Sequence, residues 1–227
     1  MSHVKEHIMK IGIIGGGRMG GTLTRRLAAL GHDVSIANSR GPETSAELAA
    51  ETGAVPVSIT DAGRDADVMI IAIPEGNIPD LPEGLLESLP ESGLVIDIGN
   101  YAPQQRDGRI DALENGVIES RWVEAQLGHP VIKAFNNVRP PSLLNLGKPA
   151  GTRGRVALPV AGDDPRAKAV VIGLIDQLGF DGIDAGGLDE SWRQQPGTPV
   201  YCTDLDLEGA EQALTAATPG RPAEWRA

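Results

Sequence analysis

Lys10 to Gly20, which reads KIGIIGGGRMG, leaves few folds open to this chain. A short apolar run of isoleucines breaks at three consecutive glycines. Apolar residues then recur at helical spacing from Met19 to Leu30, and Gly31 ends the predicted helix. A second strand is predicted over Asp33 to Asn38. The order is that of a complete β-α-β unit of roughly 30 residues.

Three glycines of this stretch, Gly15, Gly17 and Gly20, fit the pattern G-x-G-x-x-G between the predicted strand and helix. The first allows a tight turn out of the strand. The second leaves room for a pyrophosphate to approach the backbone, and the third lets the helix pack close to the strand. The helix N-terminus then presents free N–H groups to an anion. We interpret the turn as a dinucleotide-binding site; the alternative is an ordinary glycine-rich turn.

The end of the second strand bears on the choice of cofactor. NAD enzymes commonly place an acidic residue there to hold the ribose 2′-hydroxyl, whereas this chain has Asn38, Ser39 and Arg40. A hydroxyl and a guanidinium would bind a 2′-phosphate through charge-assisted hydrogen bonds. The sequence therefore predicts that the cofactor is NADP rather than NAD. The alternative is that these three residues form a polar turn with a solvated arginine.

Further apolar runs separated by helical or polar segments predict an α/β fold, with a Rossmann-type, doubly wound and mostly parallel sheet. The later strands are predicted at 55–58, 68–73, 94–98, 131–135, 156–161 and 182–184. Asp163 or Asp164 is expected to cap a helix that begins at Pro165. Residues 1–135 are predicted to form the NADP-binding domain. Residues 136–227 are predicted to form a small α/β extension for substrate binding or oligomerisation.

Several predicted strands end in residues suited to a cofactor wall. Ile73 and Pro74 follow one strand, and Gly99 and Asn100 follow the next. Because the carboxyl ends of parallel strands form the ligand edge of such a sheet, we expect these turns to meet there.

Two consecutive asparagines, Asn136 and Asn137, follow the strand that ends at Phe135. Their amides can hydrogen-bond a nicotinamide amide or a substrate carbonyl. The alternative is an Asx turn before a loop. Lys133, within that strand, is interpreted as structural rather than catalytic.

The segment DAGGLDESWRQQPGTPVYCTD carries large and polar side chains in a stretch punctuated by glycine and proline. We expect Trp192 and Tyr201 to cover the exposed face of a ring, and Gln194 and Gln195 to supply amide hydrogen bonds to it. The alternative is a lid or a homodimer contact without a substrate role.

The composition of the chain limits the classes of partner that it could bind. The chain has 227 residues, a formal net charge of −11 and a sequence pI of about 4.8, which argue against nucleic acid or an anionic membrane as partner. The single Cys202 leaves no intramolecular disulfide, and His3 and His7 are not expected to bind a metal. No apolar run is long enough to span a membrane, and the N-terminus lacks the apolar core of a signal peptide. A cytoplasmic protein without a metal is expected.

Taken in order, the strings IGIIGGGRMGGTL, NSR, AIP, VIKAFNN, VAGDDP and DAGGL resemble the coenzyme F420-dependent NADP oxidoreductases, and also the cytosolic domain of the six-transmembrane metalloreductases. The resemblance covers roughly residues 9–190. It implies an enzyme in which a Rossmann domain with a small C-terminal extension holds NADP(H), and a hydride passes between the nicotinamide and coenzyme F420 or a flavin. A homodimer is also expected. Asn136 stands where the archaeal enzymes have a histidine, and the end from Ser191 onward departs from their pattern.

The predicted cofactor-binding residues are Gly15, Gly16, Gly17, Arg18, Met19, Gly20, Asn38, Ser39, Arg40, Ile73, Pro74, Gly99, Asn100 and Asn136. The predicted substrate residues are Asn137, Trp192, Gln194 and Gln195. Direct hydride transfer needs no protein nucleophile, because the cofactors carry the chemistry. The alternatives are a non-catalytic NADP(H)-sensing module and a reductase of another small substrate, such as a ferric chelate or a carbonyl compound.

Overall fold

The computed structural model describes residues 8–227 and contains a six-stranded sheet whose neighbouring strands all pair in parallel. The strands are β1 Lys10–Ile14, β2 Asp33–Ala37, β3 Val55–Val57, β4 Val68–Ile71, β5 Leu94–Asp97 and β6 Val131–Lys133. They are arranged in the doubly wound order β3-β2-β1-β4-β5-β6, so the predicted Rossmann-type class is confirmed. His3 and His7 lie outside the described residues.

Helices cover the sheet and continue into the C-terminal part. The α-helices are α1 Arg18–Ala29, α2 Ala46–Thr52, α3 Asp111–Glu114, α4 Glu119–Leu127, α5 Pro140–Asn145, α6 Pro165–Gln177 and α7 Leu207–Ala216. The predicted β-α-β unit is reproduced to within about one residue, with Gly31 in a left-handed conformation at φ 86° after α1. Of the two candidate caps of α6, Asp164 accepts the hydrogen bond from the Arg166 N–H at 2.8 Å.

A second, two-stranded parallel sheet consists of β7 Ala157–Val160 and β8 Asp181–Asp184. It is joined to the edge of the large sheet by an antiparallel bridge between Lys133 and Ala161, whose backbone N–H groups donate to each other's carbonyls at 2.8 and 3.0 Å. One apolar core runs through both parts, because Ile13 and Leu27 of the first and Leu174 of the second belong to the same buried cluster.

Three helices lie in segments for which the sequence analysis predicts no helix. The proline pair that follows Arg139 begins α5 rather than a loop, since proline is favoured in the first turn of a helix. The stretch 102–118 contains α3. The tail contains α7, which Asp206 caps by accepting from the Gly209 N–H at 3.1 Å. No helix within residues 8–227 is both long and apolar enough to cross a membrane.

Candidate functional site

A cleft with a volume of about 710 Å³ opens at the carboxyl edge of the large sheet, within the size range of small-molecule sites. The turn after β1 and the ends of β4, β5 and β6 contribute to its walls. Its lining residues are Gly17, Arg18, Met19, Ala72, Ile73, Pro74, Ile98, Gly99, Asn100, Arg106, Phe135, Asn136, Val138, Arg139, Pro140, Pro141, Tyr201 and Cys202. Eight of the fourteen residues predicted to bind the cofactor therefore lie on this one cleft.

The glycine turn has the geometry expected of a pyrophosphate site. Gly15 has φ 110°, and a Cβ there would lie 2.3 Å from the Ala72 carbonyl oxygen. A Cβ at Gly20 would lie 1.9 Å from the Gly15 carbonyl oxygen, so α1 packs against β1 only with glycine there. At Gly17, by contrast, an added Cβ would meet no atom within 4 Å. No side chain caps the N-terminus of α1, and its free N–H groups face this open space, which fits a bound dinucleotide.

The end of β2 lies beside the glycine turn but outside the lining of the cleft. Ser39 and Arg40 are exposed, while Asn38 is half-buried. The Asn38 amide nitrogen and the Ser45 hydroxyl each lie 3.6 Å from the Cβ position of Gly16. The buried Ser45 hydroxyl has no hydrogen-bond partner in the described protein. The Asn38 amide and the unpartnered Ser45 hydroxyl therefore lie beside the glycine turn, and Ser39 and Arg40 follow Asn38 at the surface.

The asparagines at the strand ends hold the cleft wall together. The Asn136 amide donates to Asn100 Oδ1 at 3.0 Å, and the Asn100 amide donates to the Asn136 carbonyl at 3.0 Å. Asn136 also donates to the Gln194 carbonyl at 2.8 Å and accepts from the Gln194 amide at 2.8 Å. Both polar atoms of the Asn136 side chain are thus engaged within the protein. Asn136 lines the cleft as predicted, but its amide serves the wall rather than standing free for a nicotinamide.

The four predicted substrate residues are not among those that line the cleft. Trp192 and Gln195 line a separate cavity of about 240 Å³, and the Trp192 ring lies under the Arg193 guanidinium at 4.7 Å. Gln194 is fully buried in the contacts just described. Asn137 is buried, and its carbonyl accepts from the Cys202 N–H at 2.7 Å. Trp192 and Gln194 belong to a 3₁₀ helix over Leu188–Gln194, and Gln195 follows it directly.

From the C-terminal segment, Tyr201 and Cys202 line the cleft instead of the predicted substrate residues. Tyr201 packs edge-to-face on Trp225, with ring centroids 5.8 Å apart. Burial, and then contact with Cys202, raise the pKa of Tyr201 above its usual range, so its hydroxyl stays protonated and able to donate. Burial likewise raises the pKa of the Cys202 thiol, against the opposing effects of Tyr201 and Arg139. The sequence indicated Tyr201, whereas Cys202, Arg106 and Arg139 belong to no motif that would have marked them.

A buried ion pair supports the wall from behind. Lys133 donates from Nζ to Asp97 Oδ2 at 2.9 Å and to the Gly99 carbonyl at 2.7 Å, and both side chains are fully buried. Asp97 also accepts from the Ser120 hydroxyl at 2.9 Å and from the Gly99 N–H at 2.8 Å. Burial alone would lower the pKa of Lys133, but the surrounding carboxyl groups, Asp97 first, raise it overall. This arrangement agrees with the structural role predicted for Lys133.

Glu75, the first residue of the 3₁₀ helix Glu75–Asp80 that follows β4, is a feature that the sequence did not indicate. Its side chain is fully buried, and neither carboxyl oxygen has a hydrogen-bond partner in the described protein. Burial, and then repulsion from Glu119, raise its pKa well above the ordinary value. The carboxyl group is therefore expected to be neutral, packed against the backbone of Gly99.

Part of the chain is similar to a known family and to a curated protein. Residues 10–101 match the family model described as NADP oxidoreductase, coenzyme F420-dependent. The Escherichia coli K12 protein YjhV is 46% identical over 72 residues, a match that covers 32% of this chain and 53% of YjhV. The chain thus spans about half the length of this curated relative.

Two solved structures resemble most of the chain. The Sinorhizobium meliloti protein SMa0349 shares 29% identity with a TM-score of 0.73, over 89% of this chain and 97% of that one. A protein from Arthrobacter sp. FB24, described as an F420-dependent NADP reductase, shares 25% identity with a TM-score of 0.68. The match covers 81% of this chain and 87% of that one. These findings agree with a Rossmann-type fold that binds a nicotinamide dinucleotide. Over residues 10–101 the chain matches the coenzyme F420-dependent NADP oxidoreductases, and the resemblance predicted from its motifs is confirmed there.

Proposed function

We propose that this protein is an NADPH-dependent oxidoreductase that passes a hydride to a flavin-like acceptor, such as coenzyme F420 or a flavin. The observation that carries the proposal is one continuous cleft, which runs from the glycine turn past the ends of β4 and β5 to Tyr201. When bound, NADPH supplies the hydride from its nicotinamide ring. The task left to the protein is to hold two rings close together and to exclude water.

Each part of the cleft has a role in this proposal. The N–H groups at Gly17 and the start of α1 hold the pyrophosphate, and Ser39 and Arg40 hold the 2′-phosphate. Pro74 and the locked pair of Asn100 and Asn136 form the wall for the nicotinamide. That wall is rigid because its amides bond to each other rather than to solvent.

The composition of the cleft agrees with direct hydride transfer. Among its lining residues in the described chain there is no lysine or histidine, and the nearby Lys133 is buried and paired with Asp97. A hydroxyacid dehydrogenase would usually use a lysine as its proton donor. The raised pKa of Cys202 keeps its thiol neutral, which disfavours a role as nucleophile.

Arg40 is predicted to set the preference for NADPH. Arg40→Ala should weaken NADPH binding about 10- to 100-fold, because a charge-assisted contact with the 2′-phosphate is lost. NADH binding should stay within about twofold, and isothermal titration calorimetry measures both. Arg153→Ala is the matched control, since it removes the same charge from an exposed loop. Equal affinities of the unaltered protein for NADPH and NADH would show that the phosphate site is misassigned.

The proposal as a whole is tested by anaerobic oxidation of NADPH with coenzyme F420, riboflavin, FMN and ferric chelates as acceptors. Turnover is expected with one of the tricyclic acceptors. Tight NADPH binding without turnover on any of them would instead favour the sensing module. Turnover confined to the ferric chelates would favour a metalloreductase.

A further inference from the structure

We propose that Arg106 and Arg139 form a subsite for an anionic side chain of the acceptor, a phosphate or a carboxylate attached to its ring system. The inference rests on the proposed function and specifies the class of acceptor. The observation is that these two arginines line the same cleft as Tyr201 and Cys202.

The charge of the cleft is opposite to that of the chain. The sequence holds 31 acidic and 20 basic residues, yet the described residues that line the cleft include Arg18, Arg106 and Arg139 and no aspartate or glutamate. A concave site of one sign concentrates the field and attracts ligands of the opposite sign. Arg18, in the first turn of α1, is placed to serve the cofactor's pyrophosphate. The other two arginines come from elements outside the glycine turn, so the cofactor's pyrophosphate does not account for their presence in the cleft.

The Arg106 guanidinium is positioned by a hydrogen bond to the protein, and its other N–H groups remain available to donate to a ligand. It lies on the π-helical turn Pro103–Asp107, and its Nη2 donates to the Asn100 carbonyl at 2.7 Å. Its carboxylate neighbour Asp107 is 3.5 Å away and already accepts from the backbone N–H groups of Gly76 and Ala102. The Arg106 side chain is 45% exposed, so part of its guanidinium faces the cleft.

Arg139 has no carboxylate partner in the described part of the chain. It is exposed at the start of α5, and its positive charge acts on the Cys202 thiol, opposing the rise of the thiol's pKa. The positive charge of Arg106 likewise acts on the neighbouring Tyr201, opposing the rise of its pKa. Because these two partners are adjacent in sequence, the two guanidiniums approach the same end of the cleft. The protonated Tyr201 hydroxyl adds a neutral donor there.

FMN and riboflavin test this subsite, because they share one ring system and differ in a terminal phosphate. The unaltered protein is expected to show a KM for FMN about 10-fold or more below that for riboflavin. Arg139→Gln should raise the KM for FMN about 10- to 100-fold, with little change in the KM for riboflavin or in the affinity for NADPH. Arg106→Gln should act in the same direction. Arg153→Gln, which removes an equal charge from an exposed loop, should leave all three values unchanged.

An isoalloxazine whose side chain ends in a carboxylate distinguishes the two anions. A carboxylate site gives this probe a lower KM than FMN, and a phosphate site gives the reverse. Equal KM values for FMN and riboflavin would overturn the proposal. So would a loss of NADPH affinity in Arg139→Gln with unchanged FMN discrimination, since Arg139 would then belong to the cofactor site.

Equilibrium binding separates this proposal from the proposed function. Quenching of flavin fluorescence by the NADP⁺-loaded protein reports affinity without turnover. A protein that reduces no flavin, yet binds FMN more tightly than riboflavin through Arg139, would refute the proposed reaction and retain the anion subsite. If Arg139→Gln does not fold, Arg106→Gln decides the question by the same comparison.

Discussion

Gly17→Val is expected to reduce NADPH affinity by about 100-fold or more while leaving the fold intact. Gly17 has φ −69° and an extended ψ, which valine adopts without strain, and an added Cβ meets no atom within 4 Å. The new side chain would therefore occupy the space where the pyrophosphate approaches the N-terminus of α1. Calorimetric titration measures the affinity, and circular dichroism with thermal melting checks the fold.

Gly173→Val provides the matched control for this substitution. Gly173 is exposed within α6, and there too an added Cβ would meet no atom within 4 Å. Its effect on stability should be within about 1 kcal/mol, and NADPH affinity should be unchanged. Normal NADPH binding by a folded Gly17→Val protein would mean that the glycine turn does not face the cofactor.

Lys133→Met is expected to be the most destabilising of the substitutions considered. It removes the cation of a fully buried ion pair and leaves Asp97 charged and buried, a change that costs about 3–5 kcal/mol. Urea denaturation measures the loss in the free energy of unfolding. The variant should also weaken NADPH binding, because Lys133 donates to the carbonyl of Gly99 in the cleft wall.

Two comparisons isolate this effect. Lys10→Met, at an exposed position of β1, should change stability by less than about 0.5 kcal/mol. Lys133→Met combined with Asp97→Asn should recover part of the loss, since no unpaired buried charge remains. Because the pKa of Lys133 is raised in the folded protein, its contribution is complete at neutral pH and declines only in strongly alkaline solution. A loss below about 1 kcal/mol for Lys133→Met would contradict the assignment.

The parts of this protein that could be predicted from sequence are those set by local chemistry. The β-α-β unit around Gly15 and Gly17 follows from one apolar run, one turn and one helical period, all within about 30 residues. The cap at Asp164 and the strand ends at Pro74 and Gly99 were predictable for the same reason. Most of the cofactor residues predicted from these local patterns line one cleft in the folded chain.

The parts that escaped prediction depend on partners distant in sequence. Trp192 looked like a cover for a ring, but it packs on a cavity that also involves residues near 116 and 220. Asn136 and Gln194 bond to each other across 58 residues, so the Asn136 amide and the Gln194 amide nitrogen are engaged within the protein. Arg106 and Arg139 belong to no motif, and only the folded chain brings them to one cleft.

In the proposed reaction one cleft binds NADPH and its hydride passes directly to a flavin-like ring. Anaerobic single-turnover mixing with NADPH deuterated at the transferring position of C4 tests this transfer, with coenzyme F420 and FMN as separate acceptors. We expect the absorbance of NADPH and of the oxidised acceptor to fall together in a ratio of one to one, with a primary deuterium isotope effect on that shared rate. Bound NADPH that stays reduced in the presence of both acceptors would contradict it.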